Sequence, residues 1–178
     1  MVRPWRRAGL AVVLAACLVA PSSAVHREPP AVEDYVTEQL TVAARAFLAR
    51  RSQALVHAQD RRAMPVEVQG VRISPTLARA QERAVRELET RNRAPVAGGP
   101  AYTGARTRLD ASRAVRDGNR ITLEAVEHTE VKYGGGKFTQ SVRRRFEFRT
   151  RGEQIIMVAE RVLDPGARPV NDPVTPDR

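Results

Sequence analysis

The sequence predicts an α+β domain in which two N-terminal helices pack on a curved four-stranded antiparallel meander. Three observations predict it. Apolar residues recur every three or four positions in the first half of the chain, the period changes to two after a Gly/Pro-rich break at 94–100, and hairpin turn signals punctuate the second half. A chain of 178 residues suits a single domain. With one Cys, 42% hydrophobic and 4% aromatic residues, it excludes a disulfide-stapled scaffold, a polytopic membrane protein and a multidomain enzyme.

Residues 1–24 read as an export signal. Arg3, Arg6 and Arg7 precede an apolar stretch from 8 to 20, and Pro21-Ser22-Ser23-Ala24 places small residues at a cleavage site after Ala24. The apolar stretch is shorter than the roughly 20 residues of a spanning helix. An alternative rests on Leu14-Ala15-Ala16-Cys17, which resembles the lipobox of bacterial lipoproteins and would make Cys17 a lipid anchor at the outer face of the membrane. The apolar Leu18-Val19-Ala20 after it stands where a polar tether is usual, and this favours free secretion. Arg6-Arg7 is similar to a twin-arginine signal but lacks its preceding Ser/Thr and following Phe. Cleavage after Ala24 removes the only Cys and the only Trp, so thiol chemistry goes with the signal.

Residues 25–30 form a short leader, and the domain is expected over 31–164. Val32, Val36, Leu40, Ala43, Phe47, Ala54 and Leu55 follow helical spacing, with Tyr35, Ala44 and Leu48 widening the stripe. Glu33 and Asp34 at its start and Arg50 and Arg51 toward its end suit the helix dipole. Met64-Pro65 closes the segment, and Val66, Val68, Val71 and Ile73 around Gly70 fit a short strand, a small hairpin or an extended loop. Ser74-Pro75 then supplies an N-cap and a first-turn proline for a second helix carrying Leu77, Ala80, Ala84, Val85 and Leu88.

Past the break, Thr107, Leu109, Ala111 and Val115 alternate with polar residues, and Asp117-Gly118 makes a hairpin turn. The second strand spans 120–133 and ends at Gly134-Gly135-Gly136. The third carries Phe138, Val142, Phe146 and Phe148. Arg151-Gly152 turns into a fourth whose Ile155-Ile156-Met157-Val158 reads as buried on both faces. Residues 165–178, with four prolines among small and charged residues, read as a disordered tail.

This order resembles the cone-shaped cystatin-like architecture of SnoaL-like domains. The run Ala43-Ala44-Arg45-Ala46-Phe47-Leu48-Ala49-Arg50-Arg51, the later Gly98-Gly99-Pro100-Ala101-Tyr102-Thr103-Gly104, and long strands with an acidic centre resemble the N-terminal region of secreted actinobacterial and bacillar amidase-domain proteins. The resemblance spans about residues 31–164. In that family the hydrolase is a separate C-terminal domain similar to papain-like cell-wall amidases. The resemblance therefore implies the accessory module without its enzyme, and no catalytic residue of the family has a matching position here.

Among possible sites, Glu124, His128 and Glu130 share one strand face with spacing that could present two carboxylates and an imidazole for acid-base work or to a divalent metal. Arg143, Arg144, Arg145, Glu147 and Arg149 on the next strand offer the alternative of cross-strand ion pairing, which the composition favours over a metal site. His26 and His57 have no partner in sequence reach, no Ser sits in a nucleophile elbow, and Gly134-Gly135-Gly136 lacks the Lys-Ser/Thr of a phosphate loop. No cofactor is implied. Arg outnumbers Lys 28 to 2 and the formal charge is +10, so Arg143, Arg144, Arg145 and Arg149 form a candidate polyanion-binding patch. Aromatic residues do not interleave with it, which disfavours nucleic acid.

The expectation is a secreted, non-catalytic, cell-envelope-associated binding or accessory module whose partner is a cell-wall polymer or an envelope protein, bound on the concave face of the sheet. Its alternatives are a small cone-pocket enzyme of hydrolase, isomerase or lyase type using His128, and an Arg-driven polyanion binder.

Overall fold

The computed structural model describes residues 30–56, 65–91, 99 and 101–173. The cleavage site at Ala24, Cys17, His26, His57 and the last five residues lie outside them. Helix α1 spans Asp34–Ala54 and α2 spans Pro75–Arg91. The α1 stripe of Val36, Leu40, Ala43, Ala44, Phe47 and Leu48 is buried as its spacing requires, with Asp34 in the first turn and Arg51 in the last. At the start of α2 the Leu77 N–H donates to Ser74 Oγ at 3.3 Å, and Pro75 occupies the first helical position.

The sheet corrects the expected four-stranded antiparallel cone. Among the described residues it has six strands: β1 (Glu67–Val68), β2 (Val71–Ile73), β3 (Tyr102–Asp117), β4 (Arg120–Tyr133), β5 (Gly136–Arg151) and β6 (Gln154–Val162). Their order is β1-β2-β6-β5-β4-β3, and it is mixed because β2 runs parallel to β6. Strands β3 to β6 do form a chain of antiparallel hairpins. The extension arises at Gln69-Gly70, whose positive φ values of 53° and 74° make a tight turn between β1 and β2. Val71 and Ile73 then turn inward against β6, and the Ser74 N–H donates to the Met157 carbonyl at 2.9 Å. A strand of three residues shows no clear period, and its partner lies far along the chain, so local pattern does not reveal the pairing.

Two bulges re-aim side chains. Between Ala111 and Arg113 the register of β3 against β4 shifts, and Ala114 becomes buried in place of the expected Val115. Between Met157 and Ala159 one extra residue of β6 faces β5, so Ile155 and Met157 point inward before the bulge and Glu160, opposite Phe146, points inward after it. The flanking Ile156 and Val158 are half-buried rather than fully covered.

α1 lies across the inner face of the curled sheet, and the interior divides into two apolar clusters. The larger joins Leu40, Phe47 and Leu48 of α1 to Ile121, Leu123, Phe146, Phe148 and Met157. The smaller joins Ala54, Leu55, Val85, Leu88, Tyr102, Val131 and Val170. Val170 belongs to the segment expected to be a disordered tail. Instead, the chain turns after β6 at Asp164 and Gly166 and returns across the sheet, burying Val170 and Asn171. The packed chain thus continues at least to Asp172, beyond the expected boundary at Asp164, because Val170, Asn171 and Asp172 find apolar and hydrogen-bonding partners on β4 and β5.

Truncating Phe146, fully buried in the larger cluster, should cost about 3–5 kcal/mol as Phe146→Ala, measured by urea unfolding with an unchanged denaturant slope.

Candidate functional site

A polar layer separates the two apolar clusters. On β4 the inward series runs Ile121, Leu123, Ala125, Glu127, Thr129, Val131, and on β5 it runs Val142, Arg144, Phe146, Phe148. On α1 the buried stripe passes from Leu48 through Arg51 and Ser52 to Ala54 and Leu55. Strict alternation on the strands and three-to-four spacing on the helix bring these polar residues to one level of the interior.

Arg144 is at the centre and has no exposed surface. Its Nε donates to Glu127 Oε2 at 2.5 Å, Nη1 donates to Glu160 Oε1 and to Asp172 Oδ2, and Nη2 donates to Asp172 Oδ1 and Asn171 Oδ1. All five N–H donors of the guanidinium are thereby accounted for. Burial works to lower its pKa, but the carboxylates of Glu160, Glu127 and Asp172 outweigh that effect and hold it above the ordinary arginine value. Arg51 extends the layer, donating from Nε to Gln81 Oε1 at 2.5 Å, from Nη1 to Asp172 Oδ1 at 2.6 Å and from Nη2 to Glu160 Oε2 at 3.1 Å, with its guanidinium 5.1 Å from the Phe47 ring centre. Gln81 in turn donates to the Phe47 carbonyl at 2.7 Å, which ties α2 to α1. Asn171 donates to Glu127 Oε1 at 2.6 Å and to Ser52 Oγ at 3.0 Å, and Ser52 shares a 2.6 Å hydrogen bond with Thr107. Glu160 and Asp172 each bridge both arginines.

The expected arginine patch is divided by strand alternation. Arg144 faces inward and is consumed by the network, so it is withdrawn from the polyanion-binding set. Arg143, Arg145 and Arg149 face outward. Arg143 pairs with Asp164 at 2.7 Å, Arg145 pairs with Glu124, and Arg149 stands opposite Arg120. Glu124, His128 and Glu130 also lie on the outer face, each with a different partner. Glu124 meets Arg145, His128 contacts Ser141 at 2.8 Å and Asp110 at 3.3 Å, and Glu130 meets Lys137 at 3.2 Å. His128 is therefore held in an outer hydrogen-bonded row rather than a deep cavity. Among the described residues no group of three His, Cys, Asp or Glu side chains is arranged to hold a metal.

Arg51, Glu160, Asn171 and Asp172 are absent from the sequence-derived site residues, and Glu127, which clusters in sequence with Glu124, His128 and Glu130, falls on the opposite strand face from them. Two of the network residues carry a readable signal. Glu127 continues the inward parity of Leu123 and Ala125, and Arg51 continues the buried stripe of Phe47 and Leu48, so each is a charged residue at an apolar position. Glu160 reaches the interior only through the β6 bulge, and the strap residues only through the return of the chain.

No family model matches the sequence, and no curated protein matches it. Among solved structures, the intermembrane space region of the chloroplast protein ARC6 superposes with a TM-score of 0.46 at 15% identity, covering 74% of this chain and 98% of that one.

Replacing Arg144 by Met should destabilise the chain by about 3–5 kcal/mol in denaturant titrations, since it leaves Glu127 without a cation and Glu160 and Asp172 sharing Arg51 alone; adding Glu127→Gln and Glu160→Gln should recover part of that loss. A separate pH effect comes from Asp164. The Arg143 backbone N–H, and then its guanidinium, hold this carboxyl below the usual carboxylate range. A carboxyl depressed in the folded state contributes stability that is present above its unfolded pKa and lost as pH falls through its folded value. Unfolding midpoints followed from about pH 6 downward should thus fall more steeply for the wild type than for Asp164→Asn, with the divergence beginning near pH 4.

Proposed function

We propose that this chain is an exported, non-catalytic binding module of the cell envelope and that it engages an anionic cell-wall polymer with the outer face of β3 to β6. The observation that carries this reading is a set of like-charge pairs. Arg120 lies directly opposite Arg149, Arg145 opposite Arg161, and Lys132 opposite Lys137. Like charges at opposed positions of a sheet repel and cost stability, and a bound polyanion would relieve that repulsion. Glu147, Glu124 and Glu130 offset part of it by pairing with Arg120, Arg145 and Lys137. The concave face expected to bind the partner is covered by α1 and the strap. This leaves the outer face as the broad charged surface.

The export signal and the resemblance of residues 31–164 to an amidase accessory region support the envelope setting. The paired interior supports recognition rather than catalysis, since its carboxylates and guanidinium groups are bound to one another.

The purified chain should sediment with isolated cell walls that retain their anionic polymers, and much less with stripped walls. Binding should weaken steeply as salt is raised, and Arg149→Ala with Arg161→Ala should reduce the logarithmic salt slope by about one unit per charge removed. Equal binding to stripped and unstripped walls across the salt series would refute the outer-face reading.

A further inference from the structure

The formal charges of the polar layer point to a second binding site, separate from the outer face. Arg51 and Arg144 are already balanced by Glu127 and Glu160, which β4 and β6 supply. Asp172 adds a third carboxylate and is the most exposed charged member, with 21% of its side chain accessible. It can leave without stranding an uncompensated buried charge, which is the usual reason a buried ion pair resists opening. Its departure with Asn171 would free Arg51 Nη1 and Arg144 Nη2, two donors converging from a helix and a strand, because both donate to the strap.

The contacts made by the strap define what such a site accepts. Val170 fills the smaller apolar cluster beside Leu55, Val85, Leu88 and Val131. The Asn171 amide bridges Glu127 and Ser52, and the Asp172 carboxylate is clamped by both guanidinium groups. The backbone is read as well, since Gln140 accepts from the Val170 N–H at 2.9 Å and donates to the Arg168 carbonyl at 3.1 Å. An apolar side chain, an amide and a carboxylate on consecutive residues, with main-chain contacts ahead of them, form the recognition pattern of an acidic peptide.

We infer that the interior beneath α1 is a peptide-binding site occupied in cis by Val170-Asn171-Asp172, and that a partner's acidic segment of the pattern apolar-Asn-Asp displaces this strap. The strap sets the threshold. The apparent affinity for an incoming peptide is the intrinsic affinity scaled by the fraction of molecules with the strap lifted.

The test uses the full chain and a labelled peptide of sequence Arg-Pro-Val-Asn-Asp-Pro, identical to residues 168–173, with a control peptide in which Ala replaces its Asp. The Asp172→Ala chain loosens the cis occupant and leaves two charges of each sign in the layer. It should bind the peptide at least about tenfold more tightly than the wild type, and the control peptide should bind neither chain. Equal affinity of the two chains, or equal affinity for the two peptides, would overturn the inference. Hydrogen exchange on the unsubstituted chain gives a readout that does not depend on the variant's folding. The amides of Val170 and Asp172 should exchange much faster than those of β4 and β5, which marks strap release without unfolding. Exchange of the strap at the global unfolding rate would equally overturn it.

Discussion

Burying a guanidinium with no exposed surface obliges the surrounding fold to present acceptors for five N–H groups and enough negative charge to hold it. Arg144 imposes that demand, and much of the architecture answers it. Glu127 comes from the neighbouring strand at matching parity, Glu160 arrives because a bulge reverses the phase of β6, and Asp172 and Asn171 are delivered by a strap that turns back after the last strand. Arg51 joins α1 to the same carboxylates and, through Gln81, brings in α2. One layer therefore couples both helices, the four strands β3 to β6 and the C-terminal strap. Desolvation makes such a layer costly whenever one of its buried charges is left unpaired, so it specifies how the elements meet even where its net contribution to stability is small.

The same alternation that buries Arg144 exposes its neighbours. Arg143 and Arg145 are one residue away in sequence and on opposite sides of the sheet from it, so a run of three arginines divides between an internal structural role and an outer surface. The outer face is laced with exposed ion pairs of modest individual value, among which like-charged residues still confront one another. The inner face has the opposite character, with few charges, short contacts and nearly complete burial. Charge is thus organised by depth, and the two faces suit different kinds of partner.

Much of the fold is legible because its signals are local. The stripe of Val36, Leu40, Phe47 and Leu48, the Ser74-Pro75 start of α2, the Asp117-Gly118 turn and the general opposition of acidic β4 to basic β5 across the Gly134-Gly135-Gly136 turn follow from spacing and turn chemistry within short windows. The misplacements share a different cause. Alternation carried across the β3 bulge points Val115 inward, and nothing in the local composition announces that bulge; three residues of β2 do not establish a period at all. Residues 165–172 have the composition of a solvated tail, yet Val170 and Asn171 are buried because they complete groups contributed from other parts of the chain.

The amino-acid sequence by itself determined the α+β class, both helices, the chain of hairpins from β3 to β6 and the basic character of the molecule, since hydrophobic period, caps, turns and formal charge depend on near neighbours. Only the tertiary structure decided that the sheet has six strands with one parallel pair, that Arg144 is internal while Arg145 is external, and that the strap closes the interior. Those outcomes depend on contacts between residues distant in the chain. They are selected by the cost of leaving a buried charge without its partners, a quantity that no local window of sequence contains.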